Sequence, residues 1–568
     1  MRVLGIHDGH NATAAMTSDG VIEYVIQEER LNGIKNYSGF PTLAVAEILS
    51  KAGANLGDID QVAMASHHLP KAMDRDALIR RFKNFNAPSG IAHRLLWATP
   101  IKRVHRSLRK SARLRPLLNL GFAREKVRFV DHHLSHAAAA YFGSPWRDDV
   151  LVLTCDGAGD DLSATVSLAR EGRLHRIGQV NESHSLGLVY ALTTFHLGMT
   201  PNEDEYKLMG LAPYAPESGA RDAFDVFNRL FEFSRTDGLT WQRRSGIADT
   251  HYILPHLRRR LDNKRFDHIC SGLQRWTEEI LATWVGNCVR ATGISRVALG
   301  GGIFMNVKAN KVIGELPEVE DLFCFPSSGD ESTAVGAAWS TYSAASAVTD
   351  EHHRPAIMPI HDNYWGTGYG DDEIEKVLRR RTLPYRHYRD IETEVARLLA
   401  LGEVVARFKG RLEFGARALG NRSILADPSN PAIVRTINEL IKNRDFWMPF
   451  ACSILDDCES EYIHNPKGIR SPYMMMTFDT TRRVEEIRAG THPYDDTVRP
   501  QIVYENWNPD YHRLIREFAR RKGIGAVLNT SLNLHGSPIV GSPDAALDVL
   551  ERSGLRWLAI GNFLVQKV

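Results

Sequence analysis

The sequence predicts an α/β protein organised as two domains, and three observations carry that reading. A chain of 568 residues is too long for one hydrophobic core. A unit of strand, Asp-Gly, strand, acidic-Gly turn and strand occurs twice in its first third. Composition changes over 344–370, where Ala-Ala-Ser-Ala gives way to His-His-Arg-Pro and Gly-Thr-Gly-Tyr-Gly before Asp371 and Asp372 open a helix. Domains at 1–350 and 351–568 are expected, with a helical insertion around 69–120 in the first.

In the first copy of the unit, Val3–Ile6 is a strand, Asp8-Gly9-His10-Asn11 a turn, Ala12–Met16 a strand, Asp19-Gly20 a turn and Val21–Ile26 a strand. In the second copy the strands are Leu151–Leu153, Ser163–Leu168 and Leu174 onward, with turns at Asp156-Gly157 and Glu171-Gly172. Two such lobes facing each other describe an actin-like (ASKHA) domain of duplicated ribonuclease-H-like halves, in which the Asp-Gly turns point at phosphates and metal. The stretch between the copies interleaves Arg80, Arg81, Lys83, Arg106, Arg109, Lys110 and Arg113 with apolar residues at helical spacing. That pattern suits a solvated basic face, or an electrostatic collar for an acidic partner.

Composition excludes several classes. A formal charge of +2 leaves no global nucleic-acid footprint, so nucleic acid is not an expected partner. The six cysteines are scattered without a C-x-x-C pair, which suits a reducing cytoplasm and gives no zinc knuckle. Met1 leads directly into a strand, and no apolar run has membrane-spanning length, so a cytoplasmic protein without membrane attachment is expected.

The run Val130-Asp131-His132-His133-Leu134-Ser135-His136 passes from a strand end into an alanine-rich helix. His132 and His136 are four apart, which stacks both imidazoles on one helix face. Such a pair can hold an ion that favours nitrogen ligands. Asp156 and Asp330, each at a strand end, supply two carboxylates for the same ion. Lys207, in a charged cluster before Gly210-Leu211-Ala212-Pro213, can reach a phosphate as a point charge. Gly300, Gly301 and Gly302, followed by Asn306, permit close backbone approach to a nucleoside, and no Gly-Lys-Ser/Thr follows to make a P-loop.

The second domain carries four runs rich in arginine, asparagine and glycine: Gly410–Ser423 with Arg417 and Arg422, Lys442–Phe450 with Arg444, Thr497–Gln501 with Arg499, and Asn529–Val540 with Ser531 and Asn533. Guanidinium groups flanked by glycine, with Ser and Asn at a strand end, suit a phosphate and a planar amide.

These motifs together resemble the O-carbamoyltransferases of the NodU/CmcH type. The matching residues are Asp8-Gly9-His10, the H-H-L-x-H-A run from His132, E-Y-K-x-M-G-L-A-P-Y from Glu205, G-G-G-x-x-x-N from Gly300, the arginine-containing run from Gly410 and N-T-S-x-N from Asn529. The resemblance covers essentially the whole chain. It departs at Ala416, Met448 and Cys452, where relatives carry Pro, Arg and Pro, and either Arg499 or Arg422 is then expected to cover the missing cation or the phosphate to be held by fewer cations.

The resemblance implies a YrdC-like second domain that makes carbamoyl-adenylate from ATP, with Mg2+, and carbamoyl phosphate. The metal-bearing domain then transfers the carbamoyl group to a hydroxyl of a small-molecule acceptor, a natural product or sugar derivative. It implies catalytic roles for His10, Asp8 and Lys442, with His10 as general base. It implies a divalent ion on His132, His136, Asp156 and Asp330, Fe2+ expected and Zn2+ the alternative. It implies nucleotide or intermediate binding by Arg417, Arg422, Lys442, Arg444, Arg499, Asn529, Ser531, Asn533, Lys207, Gly301, Gly302 and Asn306. Two alternatives remain open at this point: a transferase of the tRNA threonylcarbamoyl type, and an actin-fold kinase. A kinase has no use for the second domain, and a metallopeptidase would want glutamate where His133 stands.

Overall fold

A computed structural model describes residues 1–70, 73–84, 101–349, 356–381, 383–442 and 445–567. The chain divides into a first unit of Met1–Glu28 with Asn36–Ile360, and a second of Glu29–Lys35 with His361–Val568. The break falls inside the stretch where composition changes; that the short segment Glu29–Lys35 groups with the second unit is not legible in the sequence.

The first unit is a duplication. Strands β1 (Arg2–His7), β2 (Thr13–Ser18), β3 (Val21–Gln27), β4 (Gln61–Ala65) and β5 (Val127–Val130) form a sheet of order β3-β2-β1-β4-β5. Strands β6 (Val150–Gly159), β7 (Leu162–Arg170) and β8 (Arg173–Asn181), a separate small hairpin of β9 (Phe231–Phe233) and β10 (Trp241–Arg243), and β11 (Arg296–Gly300) and β12 (Asp321–Cys324) follow. The second sheet runs β12-β11-β6-β7-β8, the first order repeated. In both sheets the first three strands are antiparallel neighbours and the last two join in parallel. This is the ribonuclease-H-like topology twice over, so the unit has the actin-like fold.

The Asp19-Gly20 and Glu171-Gly172 turns take positive φ at both positions, 48° and 81°, then 50° and 77°. That is the type I′ geometry which matches strand twist. Asp156-Gly157 differs from expectation. It lies within β6, where the pairing with β7 shifts register between Cys155 and Gly159, and the turn itself is Asp160-Asp161 at φ 50° and 70°. The irregularity re-aims Asp156 out of the ladder.

Helices His132–Gly143 and Ser332–Thr349 pack against each other and onto the sheets. Ala137, Ala138, Ala139 and Ala140 are all buried, and small residues set the approach. A Cβ on Gly336 would lie 1.7 Å from the Ser135 carbonyl oxygen, and one on Gly5 1.9 Å from that of Ala334. The flanking strand residues Ile6, Val152, Leu153 and Leu299 are fully buried, each contributing about 1.5–3 kcal/mol.

The insertion contributes the helix Ile101–Leu120. Its basic face is not simply solvated: Arg106 pairs with Asp161, and Arg113 with Asp8. Residues 71–72 and 85–100 of the insertion lie outside the described residues. Among the described residues, no helix is long and apolar enough to cross a membrane.

The second unit is a mixed α/β layer. Strands β13 (Tyr385–His387), β14 (Val405–Phe408), β15 (Arg422–Ala426), β16 (Ala451–Leu455), β17 (Gln501–Val503), β18 (Ala526–Ser531), β19 (Trp557–Ile560) and β20 (Phe563–Gln566) form one sheet, ordered β13-β20-β19-β14-β15-β18-β16-β17. Phe408, Ile424, Leu528, Leu547, Leu550, Leu558 and Ile560 make its core. Helices Pro509–Lys522 and Pro543–Arg552 start with Pro behind capping Asn508 and Ser542, whose side chains accept from Tyr511 and Ala545 backbone N–H groups.

Candidate metal centre and the second-unit loops

Two strand-to-helix junctions build the centre. β5 ends at Val130, and Asp131 caps the next helix by accepting from the Leu134 N–H at 2.8 Å. That start places His132 and His136 one turn apart, with ring centroids 4.7 Å from each other. Asp330 stands just before the helix Ser332–Thr349, and Asp156 comes from the irregular end of β6. One ligand atom from each of His132, His136, Asp156 and Asp330 lies within 4.8 Å of the others. His132 Nε2 is 3.0 Å from Asp156 Oδ2, and His136 Nε2 is 3.6 Å from Asp330 Oδ1.

The neighbours orient these groups. Ser332 Oγ donates to the Gly329 carbonyl at 2.7 Å, so at 3.2 Å it accepts from His136 Nδ1–H. That tautomer leaves a lone pair on His136 Nε2, the form a metal takes. Ser66 Oγ lies 2.9 Å from His132 Nδ1. The Gly302 N–H donates to Asp156 Oδ1 at 3.1 Å, which leaves Oδ2 facing the histidines. A Cβ on Gly302 would sit 2.7 Å from that Oδ1. The glycine triplet thus serves Asp156 as well as close packing: Gly301, at φ 101°, would bring a Cβ to 2.3 Å from the Cys155 carbonyl oxygen.

The donor set fits a divalent cation. Among the described residues, His136 Nε2 and Asp330 Oδ1 are buried without a hydrogen-bond partner. Burial opposes charge on His136, but contacts with Asp156 and Asp330 outweigh it and raise its pKa to about 9. Burial likewise opposes ionisation of Asp156, and His132 and His136 hold it well below the usual carboxylate range. The cluster therefore favours positive charge at its centre. Two imidazoles with two carboxylates suit Fe2+ or Zn2+. Asp156 and Asp330 keep 15% and 24% of their side-chain surface, so the centre opens on their side.

His7, not singled out in the sequence, joins this group. Its Nε2 is 3.7 Å from Asp330 Oδ2 and 3.0 Å from the His10 carbonyl, and its Nδ1 is 3.0 Å from Thr333 Oγ1. Burial pushes its pKa down to about 4, so it is neutral. The signal lay in its place at the last residue of β1, one step before the Asp-Gly. His10 itself points elsewhere, with Nε2 3.2 Å from the Asn202 carbonyl. Asp8, expected to be catalytic, is instead bound by Arg113 through both carboxylate oxygens at 2.6–3.1 Å. The sequence shows Arg113 only as part of a basic run, and burial of the pair is what removes Asp8 from solvent.

Other expected binding residues hold structure as well. Asn306 caps the helix Val307–Glu315 and exchanges two amide hydrogen bonds with Gln274 at 2.8 and 2.9 Å. Lys207 pairs with Asp204 at 3.2 Å.

In the second unit, Arg422 is a correction. It is fully buried, its terminal nitrogens donate to the carbonyls of Thr367, Lys409, Gly410 and Asn421, and it stacks on Phe408 at 3.7 Å. Burial lowers its pKa to about 10. Every terminal direction is occupied by backbone, so Arg422 shapes the Gly410 loop and is not placed for a phosphate. Glu413 pins the same loop by accepting from the Leu419 and Arg422 N–H groups. Arg417 and Arg499 are partly exposed. Asn529 donates to the Ala418 carbonyl at 3.1 Å and Ser453 Oγ at 3.0 Å, while its buried Oδ1 has no partner among the described residues. Ser531 Oγ donates to Asn533 Oδ1 at 2.7 Å. The side chain of Lys442 and the whole of Arg444 lie outside the described residues.

Fold and site define an actin-like α/β protein with a two-histidine, two-aspartate cluster that could hold a cation. Residues 2–339 match the family model for the carbamoyltransferase N-terminus and 396–567 that for the carbamoyltransferase C-terminus, so the chain belongs to the carbamoyltransferase family. It is an enzyme of the transferase class. Nodulation protein NolNO of Sinorhizobium fredii is 31% identical over 98% of this chain and 79% of its own length. The 3'-hydroxymethylcephem-O-carbamoyltransferase of Amycolatopsis lactamdurans is 30% identical over 48% of this chain and 49% of its own length. Among solved structures, full-length HypF in its phosphate- and nucleotide-bound form overlaps 60% of this chain and 46% of that chain, at 12% identity and a TM-score of 0.33.

Proposed function

We propose that the protein is an ATP-dependent O-carbamoyltransferase acting on a hydroxyl-bearing small molecule. The observation that carries this is a family-wide match in both halves joined to an oriented cation centre in the first. In the first reaction, in the second unit, water cleaves carbamoyl phosphate to carbamate and phosphate, and the carbamate oxygen then attacks the α-phosphate of ATP, giving carbamoyl-adenylate as the bond to pyrophosphate breaks. In the second reaction the acceptor oxygen attacks the carbamoyl carbon, the bond to AMP breaks, and the hydroxyl proton passes to a base. A cation held by His132, His136, Asp156 and Asp330, Fe2+ or Zn2+, supplies Lewis-acid polarisation. Ser332, Ser66 and the Gly302 N–H keep His136, His132 and Asp156 aimed. His10 remains the proposed base, as an imidazole on the Asp8–Asn11 turn that follows β1. Lys442, Arg444, Arg417 and Arg499 are proposed to hold the phosphates, with Mg2+ accompanying ATP. Ser531, Asn533 and the open oxygen of Asn529 are proposed for the carbamoyl amide.

The test is product analysis with ATP, carbamoyl phosphate and a panel of labelled acceptors. Pyrophosphate and AMP with a carbamoylated acceptor support the reading. ADP formation would instead assign a kinase, and the absence of any nucleotide requirement would overturn the adenylate route.

A further inference from the structure

The helix Ile101–Leu120 reaches the backbone segment beside the cation centre at a point no motif announced. Arg113 is buried there, with 4% of its side chain exposed. Its Nε and Nη2 grip Asp8, Nη2 also donates to the Ala65 carbonyl at 2.7 Å, and Nη1 donates to the Ser66 carbonyl at 2.7 Å. Two turns earlier on the same helix face, Arg106 pairs with Asp161 in the β6–β7 turn. From the other side, the neighbouring Asp160 carboxylate accepts from the N–H groups of His67 at 2.9 Å, His68 at 2.7 Å and His132 at 2.8 Å. Four consecutive residues, Ala65 to His68, are therefore held by one arginine and one aspartate.

The held segment is not relaxed. Ser66 sits at φ 68°, a left-handed conformation that a residue with a side chain rarely adopts. That conformation aims Ser66 Oγ at His132 Nδ1, 2.9 Å away. The partner of Nδ1 decides which nitrogen of His132 keeps the lone pair that faces the centre.

We infer that Arg113 is a positioning residue for the cation centre: paired with Asp8, it fixes the Ala65 and Ser66 carbonyls, and through Ser66 it fixes the orientation of His132. The inference rests on the proposed cation site. It gives the insertion a role at the centre, and it gives Asp8 the task of anchoring Arg113. Asp160 and Arg113 act on one short segment from opposite sides, so removing either should let Ser66 relax and free the His132 ring.

The experiment is a titration of the full-length, metal-stripped protein with Co2+, reading the visible ligand-field bands and the affinity in competition with a chelator. The wild-type protein should bind one Co2+. Ser66→Ala and Arg113→Ala should each weaken binding about 10- to 100-fold and alter the bands, as loss of an orienting partner does. The double variant should lose little more than the weaker-binding single variant, because both act along one path. Arg109→Ala, on the same helix but bonded to the Pro70 carbonyl and to no group of the centre among the described residues, should bind like wild type. Wild-type affinity and bands in Arg113→Ala would overturn the inference, as would an equal loss in Arg109→Ala. Should circular dichroism show Arg113→Ala unfolded, Arg113→Lys decides. Its three N–H groups share one nitrogen and cannot reproduce the contacts that Nε, Nη1 and Nη2 spread over Asp8 and the two carbonyls, so binding should fall several-fold, and wild-type binding by it would overturn the inference. A wild-type protein that binds no Co2+ fails before any variant is compared, which rejects the cation site itself.

Discussion

At the residue scale, the centre depends on ligand atoms and on the groups that aim them, and the two classes should fail differently. His136→Ala and Asp330→Asn remove ligands; elemental analysis of the purified variants should find less than stoichiometric metal, and carbamoyl transfer should fall at least about 100-fold. Gly302→Ala removes no ligand, but its Cβ would press on Asp156 Oδ1, so metal affinity should fall about 10-fold with the fold intact. Stoichiometric metal in all three would reject the four-residue centre. The arginines separate in the same way. Arg422→Ala abandons four backbone carbonyls and should lower stability by about 3 kcal/mol, seen as a fall in Tm, whereas Arg417→Ala should leave Tm unchanged and reduce pyrophosphate release. The histidine half of the candidate centre was legible because helical spacing makes His132 and His136 neighbours without knowledge of the rest of the chain. Asp8 and Arg422 were not legible, because a motif displays a charge but not its partner. Arg113 is 105 residues from Asp8 in sequence, and the carbonyls around Arg422 belong to no side-chain pattern.

At the scale of elements, the centre is set by how closely the helices His132–Gly143 and Ser332–Thr349 approach. One carries both histidines and the other begins just after Asp330, so their separation is the separation of ligands. Gly336 permits that approach, since a Cβ there would meet the Ser135 carbonyl oxygen at 1.7 Å. Gly336→Ala should therefore cost about 1–3 kcal/mol by overpacking and weaken metal binding in the same variant. Gly53→Ala, where a Cβ meets nothing within 4 Å, is the comparison; its φ of 58° makes it lose stability through the backbone alone, with metal affinity retained. Equal metal affinity in the two variants would mean that helix separation does not govern the site. The repeated strand and turn pattern disclosed the duplicated topology, because I′ turns and alternating strands are local features. The register shift that takes Asp156 out of the β6–β7 ladder is not local: Asp-Gly reads as a turn, and only pairing with β7 shows the turn four residues later at Asp160-Asp161.

At the scale of the whole molecule, the two units carry different donor sets, and the chemistry proposed for them is separable. The first unit holds the histidine–aspartate centre, whose preference for positive charge suits a cation beside an electrophile. The second holds Arg417, Arg499 and the Asn529–Asn533 strand end, together with Lys442 and Arg444 in its sequence. Adenylation requires phosphate contacts and a base-independent attack on the α-phosphate; transfer requires carbonyl polarisation and removal of a hydroxyl proton. If each unit performs one of these, a lesion in one should spare the other's product. Lys442→Ala should abolish pyrophosphate release that depends on ATP and carbamoyl phosphate. His132→Ala should largely retain that release while losing transfer to the acceptor by at least about 100-fold, since its lesion lies at the cation centre. The decisive comparison is made on variants with wild-type circular dichroism, following pyrophosphate and carbamoylated acceptor in the same reaction mixture. A His132→Ala protein that loses both products together would place adenylation at the cation centre and reject the division between the units.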